Sequence, residues 1–385
     1  MKLADRMSNL GTETAFEVLA KARKLEAEGR SIIHLEIGEP DFPTPENICN
    51  AAIESIKAGD THYTPSAGIP EVRKSIADYI SRTRGIDVHP DEVVMTPGAK
   101  PIMFYAILAL INPGDEVIYP NPGFPIYESM IKFVDGVPVP IQLKEEKNFA
   151  FDPEDLRKLI TPKTKMLIMN TPQNPTGGIL TEDVIRKIAE IVKDREDITI
   201  LSDEIYSRLI FQGDHFSITQ IPGFKDRTII LDGFSKTYAM TGWRAGYGVM
   251  NKDLAAVTAK LMTNSNSCTN AMVQKACIEA YEGSQDSVEE MKKEFMIRRD
   301  IIVEGLNSID GFSCNLPLGA FYAFPNITKT GMGSRELADH LLYKGGVAAL
   351  SGTAFGAFGE GYLRFSYANS RENIKEAVKR IKDVM

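Results

Sequence analysis

The stretch Thr228-Ile229-Ile230-Leu231-Asp232-Gly233-Phe234-Ser235-Lys236-Thr237-Tyr238-Ala239-Met240-Thr241-Gly242-Trp243-Arg244 joins an apolar run to a loop carrying a hydroxyl, an amine and a guanidinium. Four residues, Thr228 to Leu231, halted by Asp232-Gly233, read as a buried strand. A strand without polar alternation is covered on both faces, as in the parallel sheets of α/β folds. Lys236 follows it beside an apolar wall and within a loop's reach of Arg244, so desolvation and like charge both favour a lowered pKa. An amine of that kind attacks carbonyls and forms Schiff bases. Taken alone, the plainer reading is a surface lysine after a strand.

Working outward from this stretch, apolar β-rich runs alternate with helical segments from about residue 50 to 280. Glu92–Met95, Glu116–Tyr119, Met166–Met169, Ile198–Leu201, Thr228–Leu231 and Tyr247–Met250 are the strand candidates. Ala99–Leu110 and Glu182–Asp194 read as helices, the second with Thr181 as its N-cap and two acidic residues in its first turn. Such alternation predicts a three-layer αβα fold around a mostly parallel sheet, with ligands at the carboxyl ends of the strands. Beyond residue 284 the texture changes. Val288, Met291, Phe295, Ile302 and Leu306 form one apolar helical stripe. Strand candidates Gly319–Phe324 and Tyr362–Tyr367 and a closing helix Glu372–Val384 come after it. We expect a large domain over residues 46–284 and a smaller α+β domain built from 1–45 and 285–385.

The strand-end loops carry the chemistry. The first gives Thr96-Pro97-Gly98-Ala99-Lys100 at a helix start, where glycine permits close approach and free N–H groups attract a phosphate. Plain punctuation before a helix gives the same pattern. The second, Pro120-Asn121-Pro122-Gly123-Phe124-Pro125-Ile126-Tyr127, is stiffened by proline and presents Phe124 as an aromatic plate, unless that ring is core. The third, running from Asn170 to Gly178, sets Asn174 between two prolines as a hydrogen-bond donor. The fourth, Ser202-Asp203-Glu204-Ile205-Tyr206, puts Asp203 at the rim of the sheet. A carboxylate there needs a cation or several donors, although a helix N-cap is an equal reading. The fifth supplies Ser235 and Lys236. A phosphate cradle, an aromatic plate, an amide, a carboxylate with a phenol, and an amine together fit one cofactor: a flat, cationic, phosphorylated aromatic aldehyde, pyridoxal 5′-phosphate.

With NPTG (Asn174–Gly177), SDEIY (Ser202–Tyr206) and SKTYAMTGWR (Ser235–Arg244) in place, the chain resembles the class I/II aminotransferases of the fold-type I pyridoxal-phosphate enzymes, in the aspartate/aromatic/alanine branch. The likeness runs from GEPDFPTP (Gly38–Pro45) to YLRFSYA (Tyr362–Ala368). It implies that Lys236 binds the cofactor covalently and that Asp203 pairs with the ring nitrogen. Asn174 and Tyr206 would bond the phenolic oxygen, and Phe124 would stack on the ring. Ser235, Arg244 and the Gly98–Ala99–Lys100 backbone would hold the phosphate. Arg364 would fork onto the substrate α-carboxylate beside Gly38 and Asn174, and Tyr63 would reach the phosphate of a neighbouring subunit, hence a homodimer. Phe124 stands where many relatives have tryptophan, which leaves stacking intact and opens a difference in ring tilt.

Bulk properties narrow the field further. With 44 basic and 52 acidic residues the net charge is −8, and no basic run suited to nucleic acid or anionic lipid occurs. Cys49, Cys268, Cys277 and Cys314 are scattered, so we expect reduced thiols and a cytoplasmic protein without a disulfide framework or metal site. The N-terminus lacks the apolar core of a secretory signal, and no run approaches 18 apolar residues. The expected reaction moves the α-amino group of an L-amino acid (aspartate, alanine or an aromatic) to 2-oxoglutarate or pyruvate by ping-pong kinetics. A β-eliminating lyase on the same scaffold is the alternative. A cofactor-sensing regulator fits poorly, because no basic helix-turn-helix segment precedes Gly38. Lys100 facing the substrate side chain would favour a second carboxylate, whereas Glu13 facing it would disfavour one. These cues conflict.

Overall fold

A computed structural model describes residues 1–385. Seven strands form the main sheet: β1 (Val93–Thr96), β2 (Glu116–Asn121), β3 (Val137–Gln142), β4 (Thr164–Asn170), β5 (Thr199–Asp203), β6 (Thr228–Gly233) and β7 (Gly246–Val249). Their spatial order is β1-β7-β6-β5-β4-β2-β3. Only β7 runs against its neighbours, pairing antiparallel with both β1 and β6. The carboxyl ends of β1, β2, β4, β5 and β6 therefore share one edge. β7 begins at that edge, since Gly246 pairs with both Thr96 and Gly233. Every loop that carries candidate chemistry converges there.

Six of these strands match the apolar runs in the sequence. The seventh, β3, has no counterpart among the expected strands, because Pro138 and Pro140 remove donors and argue against a central strand. The structure accommodates them at the sheet's outer edge, where β3 has a single partner, β2, and Pro138 and Pro140 sit opposite Val117 and Tyr119. There a missing N–H faces no further strand.

Alternate strand residues feed opposite layers. Val93, Met95, Ile230 and Tyr247 pack against the helices Pro70–Arg84 and Ala271–Glu282. Val94, Ile229 and Leu231 face the helices Lys100–Leu110 and Ile126–Phe133. Farther along the sheet, Leu167, Met169 and Ile200 meet Ile185, Ile188 and Val192 of the helix Glu182–Val192. Each fully buried aliphatic side chain contributes about 1.5–3 kcal/mol. Thr181 does occupy the N-cap of that last helix, yet its side chain makes no capping hydrogen bond.

The helix Asp286–Asn307 carries the expected stripe but divides it between two cores. Val288 joins the core beneath β1 and β7, whereas Met291, Phe295, Ile302 and Leu306 join Phe321, Phe365, Tyr367 and Ile374. Ile33 and Leu35, from the N-terminal stretch, bury themselves in this second core. Ile33–His34 pairs in parallel with Val347–Ala348. A three-stranded antiparallel sheet, Leu350–Ser351, Leu363–Ser366 and Tyr322–Ala323, brings Arg364 onto the edge where the main sheet's loops gather. No helix is long and apolar enough to cross a membrane.

Candidate active site

At that edge lies a cavity of about 530 Å³, lined by all of the residues singled out from the sequence except Gly98 and Tyr63. Gly98 stands just behind the lining. Tyr63 is 89% exposed and belongs to the outer surface of its own chain.

Lys236 enters from the turn after β6. Its Nζ donates to the carbonyl of Gly38 at 2.5 Å and lies 5.8 Å and 5.7 Å from the ring centres of Tyr206 and Phe321. Burial, joined by the positive charge of Arg364, lowers its pKa from the ordinary 10.5 to about 8. Gly38 must be glycine here, because a Cβ would fall 2.3 Å from the Tyr322 hydroxyl oxygen. The Tyr322 hydroxyl in turn shares a 2.7 Å hydrogen bond with that of Tyr206. Burial keeps the Tyr206 phenol protonated far above its usual range.

Asp203 ends β5, 8% exposed. It accepts from the Tyr127 hydroxyl and, at 3.3 Å, from the backbone N–H of Ile205. The chain continues from Asp203 into a turn rather than a helix, so Asp203 is no helix cap. No cation of the chain pairs with it, and burial raises its pKa to about 6. A buried carboxylate supplied with two donors and no counter-charge suits a cationic ring.

Arg364 presents the opposite imbalance. It is 3% exposed and pairs with no carboxylate, and burial lowers its pKa. Nη1 donates to Asn174 Oδ1 at 2.9 Å and Nη2 to the carbonyl of Glu36, while Nε is buried without a partner. The guanidinium lies 4.5 Å from the ring centre of Tyr322 and 4.9 Å from that of Phe355, contacts that ease its desolvation. With its oxygen held by Arg364, the Asn174 carboxamide has its nitrogen left as donor. Asn170 fixes the loop behind it, accepting from the Asn174 N–H and donating to the carbonyl of Asp203, each at 3.1 Å.

Gly98 (φ +88°) leads into the helix Lys100–Leu110, and a Cβ on it would lie 2.1 Å from Arg244 Nη2. Arg244, exposed and itself at φ +55°, is thereby brought against the start of that helix, with Ser235 lining the same cavity. Free backbone N–H groups, a guanidinium and a hydroxyl form an anion cradle. Phe124 meets Tyr127 edge-on at 5.6 Å between ring centres, and Lys100 Nζ sits 5.3 Å from the Phe124 ring centre. Lys100 and Glu13 resolve their conflict by pairing with each other at the cavity mouth.

Sequence reasoning did not single out Tyr127, Tyr322 or Glu36. Tyr127 lies three residues beyond Phe124, in the first turn of the helix Ile126–Phe133, a spacing that shares a face with the plate. Tyr322 pairs with Ser366, two residues from Arg364 on the same strand face, a signal that exists only once the register is known. Glu36 is fully buried; its Oε1 bonds His34 Nδ1 at 2.8 Å and its carbonyl positions Arg364.

The donor set therefore fits pyridoxal 5′-phosphate at each end: an amine for its aldehyde, an uncompensated carboxylate for its ring nitrogen, and a cradle for its phosphate. An uncompensated arginine remains for a substrate carboxylate. Comparisons with known proteins agree. The family described as aminotransferase class I and II matches residues 30–381. An aspartate aminotransferase of a Bacillus sp. is 42% identical, covering 98% of each chain. A probable aspartate/prephenate aminotransferase of Aquifex aeolicus is 40% identical over 100% of this chain and 98% of that one. The structure of an aspartate aminotransferase from Thermus thermophilus with maleate superposes with a TM-score of 0.96 at 35% identity, covering 100% of both chains. With the αβα architecture, the loop chemistry and these relatives in agreement, the chain belongs to the class I and II aminotransferases and is a transaminase that uses pyridoxal 5′-phosphate.

Proposed function

We propose that this transaminase takes L-aspartate as its amino donor, passes the amino group to 2-oxoglutarate or pyruvate, and works as a cytoplasmic homodimer. The observation that carries the reading of an α-amino acid as substrate is Arg364, a buried guanidinium without an anion in the same cavity as the Lys236 amine. The relatives that bear the name aspartate aminotransferase support the choice of donor. Lys100 at the cavity mouth gives a second cation for a side-chain carboxylate, provided that Glu13 releases it.

When bound, the cofactor supplies an aldehyde that takes up the amino group and a ring that accepts the electron pair left at the substrate Cα. In our assignment residues 46–284 carry it, and residues 1–45 and 285–385 bring the substrate's clamp. Lys236 would anchor it covalently through Nζ, and once the substrate's amino group has displaced that bond the freed Nζ would take the Cα proton. In the chain without cofactor, burial brings this amine's pKa down to about 8, so part of it is neutral at physiological pH, the form that attacks an aldehyde. Asp203 holds the ring-nitrogen proton, with Tyr127 fixing the carboxylate's direction. Asn174 and Tyr206 would bond the phenolic oxygen, and Phe124 would stack on the ring. Ser235, Arg244 and the backbone of Gly98, Ala99 and Lys100 hold the phosphate, and Tyr63 completes it from the partner chain. Arg364, beside Gly38, orients the α-carboxylate, a task suited to two parallel charge-assisted hydrogen bonds.

A panel of amino acids against 2-oxoglutarate and pyruvate tests this reading. We expect acceptor-dependent transfer with the highest kcat/KM for aspartate. Release of pyruvate and ammonia without an acceptor would overturn transamination in favour of elimination, and preference for alanine or an aromatic would overturn the donor. Arg364→Lys keeps the charge but loses the fork and the bonds to Asn174 and Glu36. It should lower kcat/KM for every amino acid roughly 10- to 100-fold, mainly through KM. An unchanged KM removes Arg364 from the carboxylate site.

A further inference from the structure

Beneath the cavity, on the opposite face of the sheet, a charged cluster is sealed from solvent. Asp203 and Leu231 are register partners in β5 and β6, and both line the cavity. Their successors, Glu204 and Asp232, point the other way by strand alternation. Arg84, the last residue of the helix Pro70–Arg84, reaches both. Its Nε donates to Glu204 Oε2 at 2.8 Å and its Nη2 to Asp232 Oδ2 at 3.3 Å, while Nη1 donates to Thr83 Oγ1 at 3.0 Å. Glu204 also meets His215 Nε2 at 2.9 Å and accepts from Ser217 Oγ at 2.6 Å and Ser202 Oγ at 2.9 Å. Asp232 accepts from the Gly233 N–H at 2.7 Å and from Ser207 Oγ at 3.4 Å. The Arg84 side chain is 3% exposed and those of Glu204 and Asp232 are 0% and 4% exposed.

Such a cluster is a poor source of stability, because well-packed apolar residues of similar volume serve as well or better. Its geometry is what apolar packing does not reproduce. A planar fork with one arm on each strand end ties both ends to a single rigid group. Glu204 is adjacent to Asp203, and Asp232 lies four residues before Lys236. We propose that Arg84 is a positioning residue for transamination: by bridging Glu204 and Asp232 it fixes the separation of Asp203 and Lys236, the two groups that grip opposite ends of the cofactor. This rests on Asp203 and Lys236 holding the ring nitrogen and the aldehyde as proposed for the active site. A misplacement of about 1 Å between them is enough to cost on the order of 10²-fold in rate.

The test uses the holoenzyme with Arg84→Lys, whose single ammonium cannot fork, together with Asp232→Asn and Glu204→Gln, which keep size but remove one partner's charge. Each is read for kcat and KM, for the pH midpoint of the bound cofactor's visible absorption, and for cofactor fixed at Lys236 by borohydride. Arg84→Lys should lower kcat about 10- to 100-fold with KM little changed, and should move the absorption midpoint, because the field of Asp203 at the ring depends on distance. The two amide variants should move it in smaller measure. Normal fixation at Lys236 with an unmoved midpoint and wild-type kcat would overturn the proposal and reduce the cluster to a structural one, even if the melting temperature fell. Loss of fixation to Lys236 in the wild-type enzyme would instead overturn the underlying assignment. If Arg84→Lys does not fold, wild-type kcat and midpoint in both amide variants overturn the proposal equally.

Discussion

Replacing Lys236 with alanine is expected to lower kcat by about 10⁴-fold or more, the upper end of what a positioned proton-transfer group contributes, and to abolish fixation of the cofactor to the chain by borohydride. The magnitude follows from the site's arrangement. Lys236 is the amine held at the cavity floor by the Gly38 carbonyl, and Lys100, the cavity's other amine, is paired with Glu13 at the mouth. A second readout needs no turnover. In the protein without cofactor the ammonium is disfavoured by burial, since its pKa falls from 10.5 to about 8. Between those values the unfolded chain binds the proton and the folded chain does not, so this group's contribution to stability rises with pH from about 8 to 10.5. Below about 8 it is a constant penalty of roughly 3 kcal/mol. Lys236→Met, which keeps the volume, should make the cofactor-free protein more stable at pH 7, and the gap should shrink as pH climbs toward 10.5. A gap independent of pH in urea titrations would show that the amine is not desolvated. Retained transamination by Lys236→Ala would remove it from the chemistry.

Much of the scaffold could be read from local pattern because six strands are apolar runs whose neighbours are turn formers. β3 escaped because Pro138 and Pro140 carry the opposite signal, and only its place at the sheet edge reconciles them with a strand. The strand-end rule then found the loops, and with them Asp203, Asn174, Phe124, Ser235 and Lys236, since each sits within a few residues of a readable strand. Arg364 was not legible in that way. Its partners come from residues 36 and 174, so without the family likeness it reads as a surface arginine, and its 3% exposure contradicts that reading. Tyr322 and Glu36 escaped for the same reason, because their roles arise from register and packing between segments hundreds of residues apart. Glu13 and Lys100 were both noticed, yet sequence could not reveal that each occupies the other.

Asp203→Asn is expected to have the second-largest effect, lowering kcat roughly 10²- to 10⁴-fold, the rate equivalent of the 3–5 kcal/mol associated with breaking a buried charge pair. Asparagine retains the size but has a single acceptor oxygen where Asp203 uses both, Oδ2 for Tyr127 and Oδ1 for the Ile205 N–H, so the loss combines the charge with one of these hydrogen bonds. In the chain alone Asp203 titrates near 6, above the ordinary 3.8, through burial. The sign of its stability effect is therefore opposite to that of a salt-bridged carboxylate. From about pH 4 to 6 the folded chain holds a proton that the unfolded chain has released, so the stability contributed by this group falls as pH rises. Above about 6 the penalty is constant, at roughly 3 kcal/mol. The cofactor-free Asp203→Asn protein should lack that component, matching wild type near pH 4 and exceeding it at pH 7. A cationic ring nitrogen would supply the directly paired counter-charge that Asp203 lacks, so bound cofactor should narrow the pH 7 difference. Equal kcat in wild type and Asp203→Asn would refute the role of the charge. A cofactor-free wild type as stable at pH 7 as the variant would refute the desolvation that the role depends on.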